Sequence, residues 1–175
     1  MIPSPEPAPS PPWWQVVLIG RRPKRTLCRL VILLITCFVV FRFVLTPVRI
    51  DGISMEPTLR NGRIGAVYRL AFLTHEPRRG DIVAVSPLAG ERSGYYLKRV
   101  VGLPGETVAF EAGRLLINGQ PLDEPYVKRR YNWRMEPITT GVEEYYVVGD
   151  NRGMDIRDHF QGRVLRSQII GRRLL

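Results

Sequence analysis

The chain has 175 residues, 45% of them hydrophobic, and a formal net charge of +10 at pH 7, which allows one domain of modest size. Such a charge suits nucleic acid or an anionic membrane surface, but the chain has no helix-turn-helix pattern, zinc-finger spacing or aromatic RNA-binding motif, so we expect no nucleic-acid partner. Two histidines and two cysteines are too few and too scattered for a metal cluster, and we expect no metal ion and no cofactor.

Residues 1–25 are predicted to form a disordered cytoplasmic tail. The segment begins MIPSPEPAPSPPWWQ and ends with the basic stretch RRPKR. Proline and serine at this density prevent a packed core. Basic residues directly before an apolar run keep an N-terminus in the cytoplasm, because cytoplasmic flanks of membrane spans are rich in Lys and Arg.

Residues 26–46 are predicted to form a single transmembrane anchor. The uncharged centre, residues 30–41, has a length that is also found in signal peptides and buried helices. If Arg29 and Arg42 extend their side chains to the two interfaces, roughly 20 residues rising about 1.5 Å each can cross a bilayer. The following FVLTPVRIDG contains no small-residue cleavage site, which favours a retained anchor over a cleaved signal peptide.

Residues 47–175 are predicted to form an extracytoplasmic, mainly β domain with an antiparallel sheet. Short runs rich in Val, Ile, Tyr and Phe alternate with turns of Gly, Pro, Asn and Asp, as in RIGAVYRL, GDIVAVS, GYYLKRVVG and EEYYVVGDN. FEAGRLLING predicts a hairpin that turns near Ala112 and Gly113. No stretch after the anchor keeps a helical period over ten residues.

Ser54 and Lys98 are the candidate nucleophile and base. In GYYLKRVVG strand alternation places Tyr96, Lys98 and Val100 on one face, and burial among apolar groups lowers the pKa of a lysine so that it can accept a proton. A neutral lysine can activate a serine hydroxyl. On the residues alone, a Lys98 that extends from an edge strand and a Ser54 that caps a turn are the more common explanation of the pattern.

Six motifs follow one another from Val48 to the end of the chain: GISMEPTL, RGDIVAV, LKRVVGLPGE, INGQPLDEPYV, VVGDNR and GRVLRSQIIGR. In this order they resemble the bacterial type I signal peptidases, the membrane-anchored Ser/Lys proteases of the S26 family. The resemblance implies that Ser54 is the nucleophile and Lys98 the general base. It also implies secretory preproteins as substrates and a single-pass location in the bacterial cytoplasmic membrane.

Four further residues are expected to support the dyad or the oxyanion: Gly52, Asp150, Asp155 and Asp158. Gly52 occupies a place where some members of the family have a serine that donates to the oxyanion; here only backbone or water can approach. The backbone N–H of Ser54 is the expected oxyanion donor.

The stretch GMDIRDH departs from the family pattern S-x-D-S-R after the GDNR motif. Asp155 stands in the place of the serine that orients the lysine, Arg157 in the place of the aspartate and His159 in the place of the arginine. Asp158 can supply the missing carboxylate by a shift of one residue. Because a carboxylate touching Lys98 would favour its charged form, we expect either that Asp155 points away from Lys98 or that activity needs a higher pH.

His159 is a second candidate base, which the lysine at position 98 disfavours, and His75 is expected to be exposed in a turn. The sequence therefore predicts a membrane-anchored serine endopeptidase that removes signal peptides. Two alternatives remain: a peptidase dedicated to one pilin or conjugation protein, and a catalytically silent, membrane-anchored binding domain.

Overall fold

The structure is a computed structural model that describes residues 23–86 and 94–174. The predicted tail lies almost entirely outside the described residues. The chain divides into two compact units, Met1–Arg42 and Phe43–Leu175.

The first unit contains helix α1, Pro23–Val39, after which Val40–Val44 forms one turn of π-helix. The stretch Lys24–Val44 is long and apolar enough to cross a membrane, and none of it is buried in protein. It is the one helix of this kind in the described ranges, and it fits a membrane-anchored protein. The predicted anchor, residues 26–46, extends two residues beyond this stretch into the first strand, and its role as an anchor stays a prediction.

The second unit is built from eleven described strands: β1 Leu45–Arg49, β2 Ile64–Tyr68, β3 Ile82–Val85, β4 Tyr96–Gly102, β5 Thr107–Glu111, β6 Arg114–Ile117, β7 Gln120–Pro121, β8 Met135–Thr139, β9 Glu144–Val148, β10 Gly162–Leu165 and β11 Ile169–Leu174. Two short 3-10 turns, Ile156–Asp158 and Arg166–Gln168, flank β10. Seven strands form one sheet in the order β1-β2-β11-β3-β4-β9-β10, and four form a second in the order β7-β6-β5-β8. All pairings among these strands are antiparallel, which confirms the predicted fold class.

The predicted hairpin is also confirmed. Strands β5 and β6 pair from Val108 opposite Ile117 to Glu111 opposite Arg114, and the two loop residues Ala112 and Gly113 have φ of 46° and 78°. Two positive φ values in a two-residue loop match the right-handed twist of the flanking strands.

Three apolar clusters form the core. The first lies under the large sheet around Val83, Val100 and Val147, and the second joins the two sheets around Phe110, Trp133 and Tyr146. The third is small and consists of Ile50, Met55 and Leu59, with Ile82 and Leu97 packed against it. It lies beneath the turn that carries Ser54 and fixes that turn to the sheet.

Candidate active site

Ser54 lies in the turn between β1 and β2, and this turn is held from two sides. From below, Met55 and Leu59 are 2% and 1% exposed and the Leu59 N–H donates to the Met55 carbonyl at 2.9 Å. From the side, Asn151 donates its backbone N–H to the Ser54 carbonyl and its side-chain Nδ2 to the Ile53 carbonyl, both at 3.0 Å. The turn begins at Gly52, whose φ of 103° favours glycine. The serine is thus fixed by contacts from residues nearly a hundred positions away.

Lys98 lies on β4 and is 2% exposed. Its Nζ donates a hydrogen bond to Ser54 Oγ at 2.7 Å, and the Phe160 ring lies 5.9 Å from Nζ. Burial lowers the pKa of Lys98 from 10.5 to about 8, against an opposing effect of the Asp150 carboxylate. A buried amine in contact with a serine hydroxyl, with its pKa near neutrality, is the arrangement in which lysine can take the serine proton.

Asp150 lies behind the pair and connects its two segments. Its carboxylate accepts from Arg99 Nε at 2.8 Å and Nη2 at 2.6 Å, and from Thr58 Oγ1 at 2.6 Å. Arg99 follows Lys98 on β4 and Thr58 follows Ser54 in the turn, so one buried carboxylate joins the strand of the amine to the turn of the serine. The sequence predicted a supporting role for Asp150 but not for Arg99. Strand alternation places Arg99 on the face opposite Lys98, so the pattern did not connect it with the dyad.

Asp155 and Asp158 do not contact Lys98. Asp155 accepts from the Arg157 backbone N–H at 2.9 Å and from Arg157 Nη2 at 3.0 Å, and these hydrogen bonds lower its pKa to about 2. This agrees with the expectation that Asp155 points away from Lys98. Asp158 is exposed and makes no side-chain hydrogen bond or ion pair within residues 23–86 and 94–174, so the shift of one residue does not bring a carboxylate to the dyad.

His159 is buried, with 4% of its surface exposed. Its ring packs edge-on against Trp133 at 5.2 Å between centroids. Burial, with the positive charge of Lys98 as a smaller cause, lowers its pKa to about 4, so the ring is neutral at pH 7. The place of His159 in the sequence did not predict that its side chain is buried. His75, expected to be exposed, is partly buried and packs edge-on against Phe72 at 5.6 Å.

Gly149 is the point where the Ser54 turn, His159 and β9 meet. A Cβ atom added to Gly149 would overlap the Ser54 carbonyl oxygen and the His159 ring. We therefore expect Gly149→Ala to displace the Ser54 carbonyl and lower the activity of the site by at least about a hundredfold, because a misplacement of about 1 Å has that effect on reacting groups.

The matched control for this prediction is Gly94→Ala, since none of the described residues lies within 4 Å of a Cβ at Gly94 and its φ is outside the left-handed region. Activity of both variants is compared with that of the wild-type chain at equal protein concentration, after circular dichroism has verified the sheet. Equal activity of the two variants would show that the contact at Gly149 does not position Ser54.

A second buried network, not foreseen from the sequence, lies beside Arg99. Glu124, with a fully buried side chain, accepts from Arg152 Nη2 at 2.5 Å and from Arg130 Nη1 at 3.2 Å. Tyr126 donates its hydroxyl to Glu124 at 2.9 Å, and the guanidinium of Arg99 stacks on the Tyr126 ring at 3.9 Å. Burial and the Glu124 charge raise the pKa of Tyr126. The network ties the GDNR segment to the loop after β7.

Comparison with known proteins gives a consistent result. The family model "Signal peptidase, peptidase S26" matches residues 24–175. A signal peptidase I of Leptolyngbya laminosa is 40% identical over 126 residues, 68% of this chain and 62% of that protein. A signal peptidase I of Bacillus licheniformis is 33% identical over 157 residues, 81% of each chain. A crystal structure of a signal peptidase I from Enterococcus faecalis V583 covers 55% of this chain and 96% of the solved chain, with 30% identity and a TM-score of 0.43.

Proposed function

The chain belongs to the signal peptidase family, peptidase S26, and from this premise we propose that it is a membrane-anchored serine endopeptidase that removes N-terminal signal peptides with a Ser54/Lys98 dyad. The observation that carries the proposal is the 2.7 Å hydrogen bond between the buried Lys98 Nζ and Ser54 Oγ. Lysine elsewhere on a protein surface stays charged, because its ordinary pKa is near 10.4. Here burial makes the neutral base accessible near neutral pH.

The reaction proceeds as acyl transfer. Neutral Lys98 takes the proton of Ser54 as Oγ attacks the scissile carbonyl, and it returns a proton to the nitrogen of the departing peptide. Lys98 then takes a proton from the water that attacks the acyl-enzyme ester, and it gives this proton to Ser54 Oγ as the bond between Oγ and the acyl group breaks. The base therefore acts twice in each cycle from one position.

The oxyanion that forms during attack needs hydrogen-bond donors. The Ser54 backbone N–H makes no hydrogen bond in the described part of the chain, so it is available as a donor. In the described ranges, no atom lies within 4 Å of the place where Gly52 would carry a Cβ. A substrate carbonyl or a water molecule can therefore approach the turn at Gly52.

The substrate is an extended segment with small side chains. A cavity of about 40 Å³ adjoins Ser54, and its lining combines polar groups with apolar side chains such as Val48, Met55 and Leu97. This size favours side chains such as alanine, as found in the A-x-A pattern at the end of signal peptides. The relatives named signal peptidase I support exported preproteins as the substrate class.

The N-terminal helix would hold the site at the bilayer where signal peptides emerge. With the basic segment RRPKR before the helix, the positive-inside rule places the N-terminus in the cytoplasm and the β domain outside it. This topology is part of the proposal.

The direct test is cleavage of a preprotein by the full chain in detergent, with the new N-terminus identified by mass spectrometry. We expect one cut, directly after the second alanine of an A-x-A site, and none when both alanines are replaced by leucine. A panel of several preproteins distinguishes a general peptidase, which cuts most of them, from one dedicated to a single pilin-like substrate. A chain that cuts none would support the silent binding domain.

The activity should depend on pH through Lys98. Because only the neutral amine accepts the serine proton, kcat/KM is expected to rise about tenfold per pH unit below pH 8 and to level off above it. The measurement is a pH series from 6 to 10 with one peptide substrate. A flat profile over this range would exclude Lys98 as the base.

Two carboxylate variants make a matched pair for this profile. The charge of Asp150 raises the pKa of Lys98, so Asp150→Asn should move the rising limb to lower pH. Asp155 contacts Arg157 instead, so Asp155→Asn should leave the limb in place. The pH at which kcat/KM stops rising reports the pKa of Lys98 even if Asp150→Asn lowers the maximal rate.

A further inference from the structure

A second concave site lies away from the dyad and is lined by three arginines, Arg60, Arg63 and Arg173. Its volume is about 420 Å³, and its other lining residues are Ile50, Pro57, Thr58, Leu59 and Ile64. No carboxylate is among these residues. We call this site the arginine cleft.

The three arginines have no acidic partner among the residues that the structure describes. None of them forms an ion pair with a carboxylate in residues 23–86 and 94–174, whereas the neighbouring Arg172 lies 3.6 Å from Asp81. Arg173 Nε is buried and has no hydrogen-bond partner among the described residues. A buried N–H without an acceptor is unfavourable, and so are three like charges around one hollow. An anion in the cleft would accept a hydrogen bond from the Arg173 N–H and would reduce the repulsion among the three charges.

We propose that the arginine cleft binds a phosphate group. Planar guanidinium groups donate paired hydrogen bonds that match the oxygens of phosphate, and three of them balance its charge better than one. The group can belong to free phosphate or to a phospholipid head group, since both present the same oxygens.

The cleft is connected to the turn of Ser54. Its lining residues Ile50 and Leu59 form one apolar cluster with Met55, and another lining residue, Thr58, donates to Asp150. A bound phosphate would therefore stabilise the segment that follows Ser54. This inference concerns binding and does not depend on peptidase activity.

The test uses the full chain in a neutral detergent at constant ionic strength. Isothermal titration calorimetry measures binding of three probes: inorganic phosphate, short-chain phosphatidylglycerol and short-chain phosphatidylcholine. We expect saturable binding of phosphate or phosphatidylglycerol. Tighter binding of phosphatidylglycerol than of phosphate identifies the head group as the source, and the reverse order identifies the free ion.

Two double variants with equal charge loss, and one single variant, locate the site. Arg60→Gln with Arg63→Gln, and separately Arg173→Gln, should weaken binding at least tenfold. Arg114→Gln with Arg134→Gln, which changes two exposed arginines near the second sheet, should change it less than twofold. Thermal unfolding without ligand verifies that each variant folds.

Two results would overturn the proposal. One is that the wild-type chain binds none of the three probes saturably. The other is an equal loss of binding in the cleft variants and the Arg114/Arg134 pair, since this would mean attraction to overall charge alone.

Discussion

Replacing Ser54 by Ala, or Lys98 by Met, is expected to lower the rate of preprotein cleavage by at least about a thousandfold. Loss of either member leaves the other without a function, because the serine needs a base and the base acts only through the serine or its ester. Methionine keeps most of the volume of the lysine side chain and removes a buried amine, so Lys98→Met should fold at least as well as the wild-type chain. Cleavage is measured by gel assay and by single-turnover kinetics.

The double variant gives the sharpest form of this test. If Ser54 and Lys98 act as one unit, Ser54→Ala with Lys98→Met should be no slower than either single variant. Ser167→Ala and Lys128→Met change the same residue types at exposed positions and should retain wild-type rates. A single variant that keeps more than a tenth of the activity would refute the dyad.

Replacing Glu124 by Gln is expected to lower the free energy of unfolding by about 3 kcal/mol or more. The glutamine has nearly the same shape, but it leaves Arg152, with a side chain 1% exposed, buried without a counter-charge, and Arg130 loses the same partner. Urea unfolding of the full chain in detergent, followed by tryptophan fluorescence, measures the change; Trp133 lies in the adjacent apolar cluster.

The control is an exposed ion pair. Arg49 and Asp51 lie 3.5 Å apart with side chains 72% and 79% exposed, and removing such a pair changes stability by less than about 1 kcal/mol. Asp51→Asn alters the net charge as much as Glu124→Gln does. If the two variants lose equal stability, the buried network is not a stabilising element.

The sequence predicted the local features well. Alternation in β4 predicted that successive side chains point to opposite faces, with Lys98 and Val100 on one of them. In the structure the neighbours Val100 and Val101 indeed belong to different apolar clusters, the first and the second. The turn at Ala112 and Gly113 followed from residue type. Both depend on neighbours a few positions apart, and such interactions are visible in a single sequence.

The contacts that assemble the site were not predictable in the same way. The ion pair of Arg99 with Asp150 joins residues 51 positions apart, and the hydrogen bond from Asn151 to the Ile53 carbonyl spans 98. Such contacts depend on the order and register of the strands, which hydrophobic alternation does not specify. His159 shows the same limit, since its burial follows from the packing of the segment around Trp133.

The contacts that hold the Ser54 turn also have a consequence for biosynthesis. Residues 149–152, which fix the serine turn through Gly149, Asp150 and Asn151, directly follow β9, and β9 pairs with β4, the strand of Lys98. A ribosome makes the chain from the N-terminus, so the serine and the lysine both emerge well before the segment that brings them together. A nascent chain that ends before β9 thus carries both reactive groups without their alignment. Ser54 and Lys98 would be aligned only after the chain has been made past residue 152.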